Sequence, residues 1–261
     1  MGSAMKNLIR LVAAGIAATI LWSPVGGASA AEVKVLSAVA VKSALDELIA
    51  GAERATGHKV TVAYATAGVL RDRIKAGEAF DMVILPRPFM DPLVAQGAIA
   101  PASATVFARS LVSVGVRAGA PKPDISTAEA FKRMLAAKLI SYADPAKGGG
   151  SGIHAASVIE RLGIAEEMKP KTKLVPGAES VDLVANGEAE IAIVNTPVIV
   201  SKPGVELVGP LPAELQNTTD FVFFVGVGAS AKEPDAAKAL IKYLQEPDAA
   251  RVIKAKGMEP G

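Results

Sequence analysis

From Val33 to Gln96 the chain alternates short apolar runs with amphipathic segments, and that alternation admits few architectures. Val33 to Ser37, Val60 to Ala65 and Asp81 to Leu85 read as buried strands. Val41 to Ala55, Val69 to Ala76 and Pro86 to Gln96 read as the helices that follow them. In the first helix Val41, Ala44, Leu45, Leu48 and Ile49 fall on one face at three-and-four spacing. Strands that are apolar on both sides need cover on both faces, and right-handed crossovers supply it with helices. The expected fold class is α/β, with mainly parallel sheets flanked by helices.

The same grammar resumes further along. Thr105 to Val116 reads as one long apolar strand and Gly119 to Pro123 as a turn. Thr127 to Ala136 is a helix, Leu139 to Ala143 a strand, and Ser151 to Leu162 a helix opening beneath Gly148-Gly149-Gly150. Lys173 to Val175, Val181 to Ala185 and Ile191 to Val194 continue the alternation. Phe221 to Gly228 is another apolar strand, followed by helices at Pro234 to Gln245 and Pro247 to Lys256. The expected partition is discontinuous: residues 31–112 with 222–261 form one lobe, and 113–221 form the other. The two long apolar strands, 105–116 and 221–228, are the expected crossings. A ligand then belongs between the lobes, at the carboxyl ends of the strands.

Residues 1–30 read as a signal peptide. Lys6 and Arg10 precede an apolar run from Leu11 to Trp22, and Ala28-Ser29-Ala30 fits a cleavage site. The run is too short to cross a bilayer comfortably. Taking Lys6 and Arg10 from the 28 basic residues leaves 26, equal to the 26 acidic ones. A neutral chain without basic blocks offers nucleic acid no electrostatic footprint. There is no cysteine and only two histidines, His58 and His154, far apart in sequence. Neither a metal site nor a cofactor is expected.

The loops that would line the cleft are runs of small residues. Ser37-Ala38-Val39-Ala40, Thr66-Ala67-Gly68 and Gly148-Gly149-Gly150-Ser151-Gly152 each precede a helix. Small residues there cap helices, and they also let an anion approach unpaired backbone N–H groups at the positive end of the dipole. Three such loops converging on one cleft favour an anion site. The glycine run has neither the GxxxxGK[ST] lysine nor the GxGxxG spacing, so it is no nucleotide fingerprint. No serine sits in a G-x-S-x-G elbow.

Four further positions are candidates. Arg109-Ser110 lies inside an apolar run, so the arginine needs an acidic partner, solvent, or a ligand carboxylate. Arg87 raises the same question, with Asp91 available at helical spacing. Asn195-Thr196 closes a strand and offers both donors and acceptors. His154 lies in the first turn of its helix and faces either the cleft or the exterior.

Val35-Leu36-Ser37-Ala38, Ala65-Thr66-Ala67-Gly68, Gly77-Glu78-Ala79-Phe80-Asp81 and the alanine-rich C-terminal helix resemble the periplasmic molybdate-binding protein superfamily. Ala143-Asp144-Pro145 and Gly209-Pro210-Leu211-Pro212 resemble one branch of it. The resemblance implies a type II periplasmic binding fold and capture of a small anion for an ABC permease, with a monomer expected. It also implies two serines on the oxyanion, at positions held here by Ala40 and Ala67, and a tyrosine where Asn195 stands. Loss of those hydroxyls argues against molybdate and for an organic carboxylate bound with the help of Arg109. Bacterial aconitate isomerase is similar to the same superfamily, and that resemblance implies an alternative. Under it His154 is the base that moves a proton along a tricarboxylate.

The exported protein is expected to begin at or near Ala31 and to contain no tryptophan, since Trp22 is the only one. Intact-mass spectrometry checks this; an exported form that retains Met1 or Met5 would reveal an anchor instead.

Overall fold

The computed structural model describes residues 30–100 and 102–261; apart from Ala30, the expected signal segment lies outside them. The chain opens with β1 (Glu32–Ala38), α1 (Lys42–Thr56), β2 (Lys59–Ala65), α2 (Ala67–Lys75), β3 (Met82–Pro86) and α3 (Arg87–Ala95). Then come β4 (Thr105–Arg109), β5 (Val112–Arg117), α4 (Ala128–Ala137), β6 (Ile140–Ala143) and α5 (Gly150–Arg161). Next are α6 (Ala165–Met168), β7 (Thr172–Val175), α7 (Ser180–Asn186), β8 (Ile191–Asn195), α8 (Thr196–Val200) and β9 (Val205–Pro210). β10 (Val222–Val227), α9 (Pro234–Leu244), α10 (Pro247–Ala255) and β11 (Glu259–Pro260) complete the chain.

The strands assemble into two sheets, ordered β11-β4-β10-β3-β1-β2 and β7-β6-β8-β5-β9. Each has a parallel heart: β1 with β2 and β3, and β6 with β7 and β8. Each is also mixed, because β10 runs against β3 and β4, and β5 runs against β8 and β9. Connectivity explains the reversals. The strands of each heart run toward the cleft, whereas a strand arriving from the other sheet enters at the cleft and must run away from it.

The expected single strand over 105–116 is instead two strands in two sheets. β4 ends at Arg109 beside β10, and β5 starts at Val112 beside β8, so Ser110-Leu111 is the first crossing. The second crossing is the segment 211–221, and β10 stays wholly in the first sheet. No glycine or proline marks the break at Ser110-Leu111, which is why the apolar run reads as continuous.

Helical periodicity decides the packing. α1 buries Ala44, Leu45, Leu48 and Ala52, and packs against α9 and α10. Each fully buried leucine contributes about 1.5–3 kcal/mol relative to exposure. β3 is buried along its whole length, as a strand covered on both faces should be. The Gly77–Asp81 motif is structural. Buried Asp81 accepts Lys34 N (2.8 Å) on one oxygen, and Lys232 N (2.8 Å) and Glu233 N (3.0 Å) on the other. One carboxylate thus ties the first strand to the entry of α9, as acidic groups at helix N-termini do.

α5 lies close over the end of β6. A Cβ added to Gly152 would stand 1.8 Å from the Ala143 carbonyl oxygen. Gly152→Ala is expected to cost at least about 1–3 kcal/mol by overpacking. A lowered urea midpoint with unchanged slope is the expected reading; an unchanged midpoint would contradict the packing.

Candidate functional site

The carboxyl ends of both parallel hearts meet at one cavity of about 40 Å³. From the first sheet come Ala38, Val39 and Ala40 after β1, Thr66 and Ala67 after β2, and Pro86 at the end of β3. From the second come Ala143, Gly149, Gly150 and Ser151 around the β6–α5 turn, and Gly177 and Ala178 after β7. Val194 and Asn195 of β8, Val198, Phe221 and Phe223 complete the wall. No charged side chain among the described residues contributes to it. At about 10–15 Å³ per water, the space suits an anionic headgroup.

Two hydrogen bonds join the facing loops. Thr66 Oγ1 donates to the Lys147 carbonyl (2.6 Å), and Gly68 N donates to the Gly148 carbonyl (3.1 Å). The backbones touch: a Cβ on Gly68 would lie 2.7 Å from Gly148 Cα, and one on Gly148 2.6 Å from Gly68 Cα. Thr66 Oγ1 also caps α2 by accepting from Val69 N at 3.4 Å.

Two features of the wall suit an anion. α5 begins at the cavity with no side-chain cap, so its first-turn N–H groups and its dipole face the space. Asn195 is 3% exposed, and its Nδ2 is buried without a hydrogen-bond partner among the described residues. An unsatisfied buried donor costs about 1–3 kcal/mol, a cost that an acceptor in the cavity would remove.

Ala38, Thr66, Ala67, Ser151 and Asn195 are brought together here, and the other candidates lie elsewhere. Ser37 is fully buried between β2 and β3 and approaches only its neighbour's carbonyl. Gly68 serves the contact with Gly148, and Gly152, in the first turn of α5, packs against Ala143. Ser110 bonds the Leu111 carbonyl (3.2 Å) at the crossing, and Thr196 bonds Ser113 (2.8 Å) and the Leu111 carbonyl (3.1 Å).

Arg109 does not face the cleft. It is exposed between β10 and β11, and its Nη1 donates to the Pro260 carbonyl at 3.1 Å. The two-residue β11 that turns this stretch into a sheet neighbour leaves no trace in sequence periodicity. Arg87 stacks over the Phe224 ring at 4.8 Å, and its Nε has no partner among the described residues.

His154 belongs to an adjoining cavity of about 230 Å³, which shares Pro86, Gly150 and Phe221 with the first. Its ring meets Phe221 edge-on, with centroids 5.6 Å apart. Burial pushes its pKa down and so favours neutral imidazole at neutral pH, against a smaller opposing contribution from the Leu215 backbone. Sequence reasoning missed Phe221 and Phe223, whose place depends on the crossing. Gly177-Ala178, another small-residue loop after a strand, could have been found by the rule that found the others.

Two lobes, each a mixed sheet between helices, with a cavity at the facing strand ends, define the type II periplasmic binding fold. The chain belongs to the bacterial extracellular solute-binding protein family, whose model matches residues 33–259. It is 31% identical over 233 residues to an aconitate isomerase from a Pseudomonas species, covering 87% of each chain. It is 28% identical to the molybdate-binding protein ModA of Azotobacter vinelandii, covering 98% of each. The solved Azotobacter vinelandii periplasmic molybdate-binding protein superposes with a TM-score of 0.74 at 19% identity, covering 88% of this chain and 99% of that one.

Thr66→Val, which keeps the shape and removes both hydrogen bonds, is expected to cost about 1–2 kcal/mol in urea unfolding. Thr66→Ser should retain most of that stability; equal losses in the two variants would show that the hydroxyl is idle.

Proposed function

We propose that this protein is a periplasmic receptor that closes around the carboxylate of a small organic acid and delivers it, as a monomer, to an ABC permease. The closing units are residues 31–112 with 222–261, and residues 113–221, hinged at Ser110-Leu111 and before Val222. The observation that carries the reading is the composition of the cavity wall around Asn195. The partnerless Asn195 amide, Ser151 and the uncapped start of α5 supply donors on one side. Alanine, valine, proline and phenylalanine supply most of the rest.

A tetrahedral oxyanion presents acceptors in every direction, and an apolar wall leaves some of them dehydrated and unbonded at about 1–3 kcal/mol each. Ala40 and Ala67 both line the wall, so two positions that a hydroxyl could serve carry only methyl groups. An organic acid divides its surface as this cavity does, with oxygens at one end and carbon at the other. Neutral donors in a dry site suffice for one carboxylate, because fixed dipoles act more strongly there than in water.

The 31% identical aconitate isomerase and the partnerless Nε2 of His154 support a second reading. Under it, neutral His154 removes a proton from one carbon of an allylic acid and returns it to another. Arg109, exposed on β4 between β10 and β11 and bonded to the Pro260 carbonyl, is not placed to serve as a carboxylate clamp.

Calorimetry with cis-aconitate and tricarballylate, on the parent and on Asn195→Leu, tests the reading. The variant is expected to bind roughly ten- to a hundredfold more weakly, the equivalent of one lost donor. Unchanged affinity would remove Asn195 from the site. Conversion of cis- to trans-aconitate, followed by proton NMR, separates the readings: turnover abolished by His154→Ala would make the protein an isomerase, and binding without turnover a receptor.

A further inference from the structure

Gly68 lies in the first turn of α2 and has no left-handed φ, so its own backbone does not call for glycine, a poor helix former. The reason for it lies across the cleft. A Cβ on Gly68 would stand 2.7 Å from Gly148 Cα, and Gly68 N donates to the Gly148 carbonyl at 3.1 Å. Thr66 Oγ1 donates to the adjacent Lys147 carbonyl at 2.6 Å. Both donors and both acceptors belong to the chain, so these bonds need no ligand to bridge them.

The contact sits far from the segments that join the two sheets. In the order β11-β4-β10-β3-β1-β2, β2 is four places from β4, about 19 Å at roughly 4.8 Å per strand. In the second sheet β6 is two places from β5. Near the first crossing the two halves touch at another point. A Cβ on Gly257 would stand 2.9 Å from Thr196 Cγ2, and Thr196 Oγ1 donates to the Leu111 carbonyl at 3.1 Å. Rotation about the crossings moves that point little and parts Gly68 from Gly148 most. The parting loops carry the cavity wall with them, Thr66 and Ala67 on one side, Gly149, Gly150 and Ser151 on the other.

We infer that Gly68, Gly148 and the Thr66–Lys147 bond form a latch that holds the two halves closed without a ligand, and that the ligand enters and leaves where this latch opens. Two hydrogen bonds between neutral groups are weak enough to break reversibly, and the glycine pair lets the backbones meet so that both can form. The latch goes beyond the receptor reading, since it works the same way whichever anion the cavity takes.

The chain has no cysteine, so spin labels can be placed singly at Lys75→Cys and Glu160→Cys, exposed positions on α2 and α5. Pulsed electron-resonance distances between them, on the exported protein with no ligand added, test the latch. With no other change, one narrow distribution is expected. Gly68→Ala suits α2 better than glycine does, yet places a methyl group against Gly148, and should move most of the population to longer distances. Thr66→Val should raise the ratio of open to closed forms roughly tenfold, the worth of one hydrogen bond, and Thr66→Ser should restore the narrow distribution. A doubly labelled protein that is already broad and open before either change would overturn the latch. So would a distribution that Gly68→Ala leaves unaltered, or equal opening in Thr66→Val and Thr66→Ser.

Discussion

The backbone contact between Gly68 and Gly148 sets how closely the two lobes approach, and the rest of the site follows from that distance. Their Cα atoms meet with no room for a Cβ on either residue, so the loops after β2 and β6 close without an intervening side chain. Thr66 reinforces the contact through the Lys147 carbonyl while also capping α2. The same threonine thus couples local helix stability to the approach of the opposite lobe. A larger residue at either glycine would hold the strand ends apart and open the cavity to water. Fixed dipoles would then lose the advantage that a dry site gives them.

Chemical selectivity follows from what that closure surrounds. In the proposed reading, a wall with no charged side chain among the described residues cannot rely on a salt bridge, so discrimination falls to neutral donors and shape. Asn195 sits at the end of β8, where β5 pairs with it and where the second lobe turns toward the first. Its buried amide nitrogen has no hydrogen-bond partner among the described residues, and such unpaired groups collect at functional sites. The aconitate isomerase and molybdate-binding relatives share the scaffold, and fold alone does not choose between their chemistries. In the reading proposed above, that choice falls to Asn195 as a donor and, for proton transfer, to His154.

The sequence carried the frame of this molecule well. Val41, Ala44, Leu45 and Leu48 announce the buried face of α1, and uninterrupted apolar residues announce β3. The small residues Ala38, Thr66, Ala67 and Ser151 also mark loops that reach the cavity, because one rule governs all of them: a helix start after a strand end. What periodicity could not carry is what depends on distant partners. The run from Thr105 to Val116 is apolar throughout, yet it serves two sheets, since burial in either leaves the same signature. Arg109 reads as a charge that needs an acidic partner, solvent or a ligand carboxylate until β11 supplies the Pro260 carbonyl beside it. Phe221 belongs to the site only because the second crossing brings it there.

The central claim is that this cavity selects an acid with a carbon skeleton over an inorganic oxyanion, and a thermal-shift comparison of the exported protein tests it most directly. Molybdate, tungstate, sulfate and phosphate are set against mono-, di- and tricarboxylates at matched concentrations. A ligand at 100 times its dissociation constant adds about 2.7 kcal/mol, or roughly 5–10 °C for a protein of this size. The expected result is a shift of that order with at least one carboxylate and none with the four oxyanions. Stabilisation by micromolar molybdate or sulfate, with no response to any carboxylate, would contradict it.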